Sequence, residues 1–119
     1  MTPNSKVDWI LRSLVALALL VIGIIPKLTN DPTMLANFAR WGYPSGFHYL
    51  VAAGEIAGVL LLLLPSTALW GALLVDALMV GAAATHLKAG EYGFAPVPLV
   101  IGALAVATAL PRLKARRKS

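Results

Sequence analysis

Four apolar stretches alternate with short polar breaks along the chain, at residues 7–26, 47–64, 67–87 and 94–110. Each is close to the roughly 20 mainly apolar residues that a helix needs to cross a bilayer. The fourth is the shortest, at 17 residues, which suits little tilt or a locally thinned bilayer. Pro65-Ser66-Thr67 ends one stretch and caps the next, predicting a tight hairpin between spans two and three. Lys88 to Gly93 supplies the next turn, Pro96 and Pro98 suit the opening turn of the last helix, and Pro111 is expected to end it.

The longest break, residues 28–46, carries helix signals of its own. Asp31 is a good N-cap, Pro32 suits the first helical position, and Gly42 suits the C-terminal stop. Met34, Leu35, Phe38 and Trp41 then share one face. This predicts a short amphipathic helix lying on the membrane surface or capping the bundle. Trp41, Tyr43, Phe47 and Tyr49 read as an aromatic belt where the chain re-enters the bilayer.

Composition agrees with that pattern. Hydrophobic residues make up 59% and charged residues 13%, against about 45–50% and about 25% in soluble domains. So small a soluble domain has too little interior to hide that much apolar surface. The expected fold is an all-α membrane protein: a four-transmembrane-helix bundle over residues 1–111, with a short interfacial helix between spans one and two and a basic tail over 112–119. Lys6 and Arg12 before the first apolar run also fit a signal peptide. Residues 25–31 offer no small-x-small cleavage site, so the run is read as a retained helix.

The charge changes the picture in two ways. Five of the ten Lys and Arg residues lie at Arg112, Lys114, Arg116, Arg117 and Lys118, so the net charge of +5 describes a tail. Its expected partner is anionic lipid; nucleic-acid binding would want a basic folded face interleaved with aromatics. One side of the membrane would hold Lys6, Arg12 and those five, the other Lys27, Arg40 and Lys88. The positive-inside rule then puts both termini in the cytoplasm, in an inner (cytoplasmic) membrane. The chain has no cysteine, which excludes disulfides, thiol relays, iron–sulfur ligation and Cys-based zinc. Gly54 with Gly58, residues 81–84, and Gly102, Ala105 and Ala109 form small-residue stripes that let helices of one bundle approach closely.

Candidate chemistry rests on ionisable residues inside the spans. A mid-membrane acid costs roughly 2.5–3.5 kcal/mol on insertion scales, so it usually faces inward and has a partner. Glu55 and Asp76 are such acids, equally far from the hairpin turn, each roughly 15 Å up its helix at 1.5 Å per residue. If they face each other they share a proton; a purely structural hydrogen-bonded role is the alternative. Lys27, His48, Tyr49 and His86 fall at the outer level and would line an outward-opening pocket with the two acids. Lys27 also fits a snorkelling helix-end lysine, and either histidine a membrane-boundary ring. Asp8 and Arg12 stand at helical i,i+4 spacing. Without an HxxH or HExxH pattern no metal site is expected, and no residue is assigned as catalytic.

Several short motifs recur in a recognisable order: Arg12 early in the first span, Gly23 leading to Lys27-Leu28, and Gly42-Tyr43-Pro44. Gly54-Glu55-Ile56-Ala57-Gly58 before a Leu run follows, then Met79-Val80-Gly81-Ala82 before Thr85-His86-Leu87. Together they resemble the DoxX-like family of small four-helix membrane proteins. The resemblance implies a four-helix bundle and points to Lys27, Glu55 and His86; Asp76 is outside the pattern. Members are associated with sulfur-compound oxidation coupled to quinone, or with membrane oxidoreductase assemblies in oxidative-stress defence. Distant animal relatives act as assembly chaperones. The expectation is an accessory or small-ligand-binding subunit of a membrane redox system, a binder rather than an independent enzyme. It would hold no covalent cofactor, take a quinone or other lipid-soluble ligand, and partner another membrane protein or redox enzyme. The alternative is an assembly helper that packs against other membrane proteins. A proton-coupled transporter is disfavoured, since no inverted repeat is visible.

Overall fold

The side chain of Ser5 accepts a hydrogen bond from the Asp8 N–H at 3.2 Å and so starts the first helix. In the computed structural model, which describes residues 1–118, this helix, α1, is Lys6–Leu28. It widens into a π turn at Leu19–Ile24, immediately ahead of Pro26, which has no N–H to donate to the preceding turn. Asp31 caps the next helix by accepting from Met34 N–H at 3.0 Å, and α2 is Pro32–Arg40. Helices α3 (Phe47–Leu63), α4 (Ala68–Lys88) and α5 (Pro96–Lys118) follow. Every regular element among the described residues is helical.

Helix α1 packs on α3 and α5, α3 on α4, and α4 on α5, closing a four-membered ring. Val15, Leu62, Val75 and Ala105 are fully buried at its centre. Ile10, Leu14, Leu17, Val21, Leu50, Leu60, Val80 and Val100 face outward, as they would in a bundle whose solvent is lipid. Helices α1, α4 and α5 are long and apolar enough to cross a membrane, and α3 is an apolar helix of 17 residues. The short helix expected between the first two apolar stretches is α2.

Small residues set the α3–α4 contact. A Cβ on Gly71 would fall inside van der Waals contact with the backbone of Leu62, Gly58 faces Val75, and Gly54 faces Leu78. These pairs put Glu55 and Asp76 at one level, as the hairpin arithmetic predicts. The acids do not face each other. Each is one residue, about 100° of helix, off the α3–α4 contact line. Glu55 turns to α1 and Asp76 to Gly102 of α5. The condition for a shared proton is therefore not met.

The expectation that Pro111 ends the last helix is also corrected: α5 runs through it. Interior proline costs about 3 kcal/mol, and what lies beyond it offsets that cost. Arg112 is buried, and its Nη1 and Nη2 donate to the two Asp8 carboxylate oxygens at 2.7 and 2.8 Å. It also donates to Thr108 O at 2.9 Å. Arg12 completes the knot, with Nη1 3.3 Å from Asp8 and Nε donating to Leu62 O at 2.8 Å. The start of α1, the Arg112 turn of α5 and the last turn of α3 thus meet at one end of the bundle. Arg112 belongs to this knot and not to a lipid-binding tail. Downstream, the Arg116 guanidinium lies 5.2 Å from the Trp70 ring; Ser119, the last residue of the expected tail, lies outside the described residues.

Candidate functional site

The π turn in α1 carries Gly23, and the absence of a side chain there makes room for a carboxylate. A Cβ on Gly23 would collide with the Glu55 carboxyl group. One turn later Lys27 Nζ lies 2.9 Å from Glu55 Oε1 and donates to Gly23 O at 3.2 Å. Lys27 is 9% exposed and Glu55 3%, so this is a buried ion pair.

Lys27 and Glu55 stand in the wall of a partly open cavity of about 580 Å³ lined by residues of α1, α2, α3, α4 and the start of α5. That lies within the roughly 300–1,000 Å³ of small-molecule sites. Phe38, Trp41, Tyr43, Phe47 and Phe94 line it. The Phe38 ring is 5.3 Å from Trp41 and 5.6 Å from Tyr43, and Tyr43 stacks on Phe47 at 4.7 Å. The Tyr43 hydroxyl is 2.6 Å from Thr85 Oγ1.

Of the residues expected to form a site, Lys27, Glu55 and His86 come to this one cavity. Asp76 does not. It lies between α4 and α5 beside Gly102, half-buried and with no hydrogen bond or ion pair among the described residues. His48 and Tyr49 also stay outside the lining: His48 Nε2 is 2.9 Å from Asn30 Oδ1, and the Tyr49 hydroxyl donates to the same oxygen at 3.0 Å. These bonds tie the exit of α1 to the start of α3. Among the described residues no group of three His, Asp or Glu could hold a metal ion.

Sequence reasoning missed Glu91. Helix α4 ends in a Schellman turn, with Gly90 at φ 75°, Gly90 N–H donating to Leu87 O, and Glu91 N–H to His86 O. The turn folds Glu91 back over His86, whose Nδ1 donates to Oε1 at 2.8 Å. Trp41 Nε1 donates to the same oxygen at 3.1 Å, and Arg40 pairs with Oε2. The bond from His86 first, then those from Arg40 and Trp41, hold the Glu91 carboxyl below the usual carboxylate range, against an opposite push from desolvation. The available signal was Gly90, a helix stop four residues after a histidine.

A buried ammonium, balanced by a carboxylate and facing aromatic rings across an apolar space, can recognise a flat lipophilic molecule carrying a carbonyl oxygen. A sequence model of the DoxX-like family matches residues 10–108. Comparison with curated proteins and with solved structures gave no significant match. The matched stretch holds Lys27, Glu55, His86 and Glu91 and leaves Asp8 and Arg112 outside it.

Proposed function

The chain belongs to the DoxX-like family, and on that premise we propose that it is a four-span membrane protein binding a lipid-soluble carbonyl compound of the quinone type. In this reading it serves as an accessory subunit of a membrane redox system, with its termini cytoplasmic and the cavity towards the outer face. The observation that carries it is the buried Lys27–Glu55 pair in the wall of an aromatic cavity. Lys27 Nζ is positioned to donate to a carbonyl oxygen, Glu55 balances and orients the ammonium, and Phe38, Trp41 and Phe94 offer faces for a planar ring. A quinone bound there would supply the electron chemistry, since the side chains lining the cavity carry no redox group. Helix α3 is short for a span, about 25 Å at 1.5 Å per residue, but its outward Leu50 and Leu60 suit lipid.

The assembly-helper reading has an observation of its own. Asp76 is a half-buried acid on the α4–α5 side without a partner among the described residues, where a helix of another membrane protein would supply a donor.

Tryptophan fluorescence tests the ligand reading. Of Trp9, Trp41 and Trp70, Trp41 alone lines the aromatic cavity. In a Trp9→Phe/Trp70→Phe background, decyl-ubiquinone should quench Trp41 saturably, and Glu55→Gln should weaken the titration about tenfold, the scale of one charge-assisted hydrogen bond. Unsaturable quenching, identical in both proteins, would contradict the reading.

A further inference from the structure

Helix α2 has only nine residues, too few to hold itself as a free helix in water. Left-handed residues flank it, Asn30 at φ 55° and Gly42 at φ 86°, each a turn at which the chain changes direction. Its inner residues Met34, Asn37 and Phe38 close one side of the aromatic cavity, while Leu35, Ala36 and Ala39 are exposed. Its backbone packs against the end of α1, the element just before it. The far end is held differently. Arg40 and the adjoining Trp41 both reach Glu91, which also takes His86 from α4. Neither Arg40 nor Glu91 lines the cavity, so neither is explained as a ligand contact.

We propose that α2 is a lid over the cavity and that Glu91 is its latch, gathering Arg40 and Trp41 from the lid and His86 from the fixed bundle. The inference rests on reading the cavity as a ligand site and adds how that site is entered. An exposed ion pair alone contributes little, so three donors on one carboxylate give a latch that holds and still reopens. Release swings the lid about Asn30, carries Phe38 with it and opens the Lys27–Glu55 pair to a lipophilic molecule at the membrane surface.

The chain has no cysteine, so a single introduced one reports on access. Ala82, on α4, lines the cavity. In full-length Ala82→Cys protein in lipid nanodiscs without added quinone, a membrane-impermeant maleimide should react slowly. Glu91→Gln and Arg40→Ala should each speed the reaction about tenfold, the scale of a lost charge-assisted hydrogen bond. Equal rates in all three proteins would overturn the latch. So would acceleration by Glu91→Gln alone, because the carboxylate would then act through the α4 turn and not through the lid. Spin labels at Ala36→Cys and Lys88→Cys give a second readout: the distance distribution should broaden in Glu91→Gln, and an unchanged one overturns the lid. A lid that opens over a cavity that never takes up decyl-ubiquinone refutes the ligand reading and leaves the lid standing. Quinone binding with labelling indifferent to both substitutions refutes the lid alone.

Discussion

The Glu55 carboxylate occupies the space that a side chain at residue 23 would fill, so Gly23 and Glu55 are two halves of one seat. Lys27 closes that seat from the next turn of the same helix, at 2.9 Å. A glycine, a widened turn and an acid from another helix are all needed to bring this ion pair together. Gly23→Ala should push the Glu55 carboxyl off Lys27 and lower stability by about 1–3 kcal/mol, the usual cost of overpacking. Thermal unfolding in detergent together with the quinone titration checks it; unchanged values in both would mean that Glu55 does not need this space.

Separating stability from binding requires removing the pair in two ways. Lys27→Met alone leaves a buried carboxylate uncompensated and should cost about 3–5 kcal/mol. Lys27→Met/Glu55→Leu removes both charges, so it should recover most of that stability and still fail to bind decyl-ubiquinone. Full binding by the double variant would show that the pair is structural only.

At the opposite end, Asp8 is the anion shared by two arginines, one of them 104 residues away in sequence. Asp8→Ala leaves both arginines buried without it and should destabilise the bundle by about 3–5 kcal/mol. Arg112→Ala should cost less, because Arg12 stays on Asp8. Limited trypsin digestion checks this: the end of α5 beyond Pro111 should be cut fastest in Asp8→Ala, and equal cutting in wild type would argue against the knot.

These contacts show where sequence reasoning reached and where it stopped. Apolar length and proline–glycine punctuation located all five helices, because lipid selects helices and turn residues act locally. Hairpin symmetry put Glu55 and Asp76 at one level, but level is a count and facing is a phase. With about 100° per residue, the neighbours of a contact line point elsewhere, and only the Gly58–Val75 and Gly71–Leu62 contacts fix that phase. Pro111 was read as a stop by a local rule, which a partner as distant as Asp8 overrides. Lys27, Glu55 and His86 stood out as polar residues at apolar positions. Glu91 did not, because a carboxylate in a turn looks solvated until Arg40, Trp41 and His86 are folded onto it.

Acid should release the latch. The Glu91 carboxyl is held below its usual range, so its contribution is fully present above the ordinary carboxylate value, about 4.3. It is lost as pH falls through the lower folded value. The groups facing it are Arg40, Trp41 and His86. The Ala36–Lys88 spin-label distance should therefore hold through pH 5 and broaden below about 4.3, with no such transition in Glu91→Gln. A transition of the same shape in Glu91→Gln would assign it to another group.

The central claim, that Lys27 and Glu55 hold a lipid-soluble ligand, is tested most directly by native mass spectrometry. Wild type and Glu55→Gln would be purified in mild detergent, with matched circular dichroism and with organic extraction of each sample. The account predicts a small molecule bound to wild type, with a quinone absorbance that changes on borohydride reduction, and absent from Glu55→Gln. An empty wild-type cavity, or the same molecule carried equally by both proteins, would contradict it.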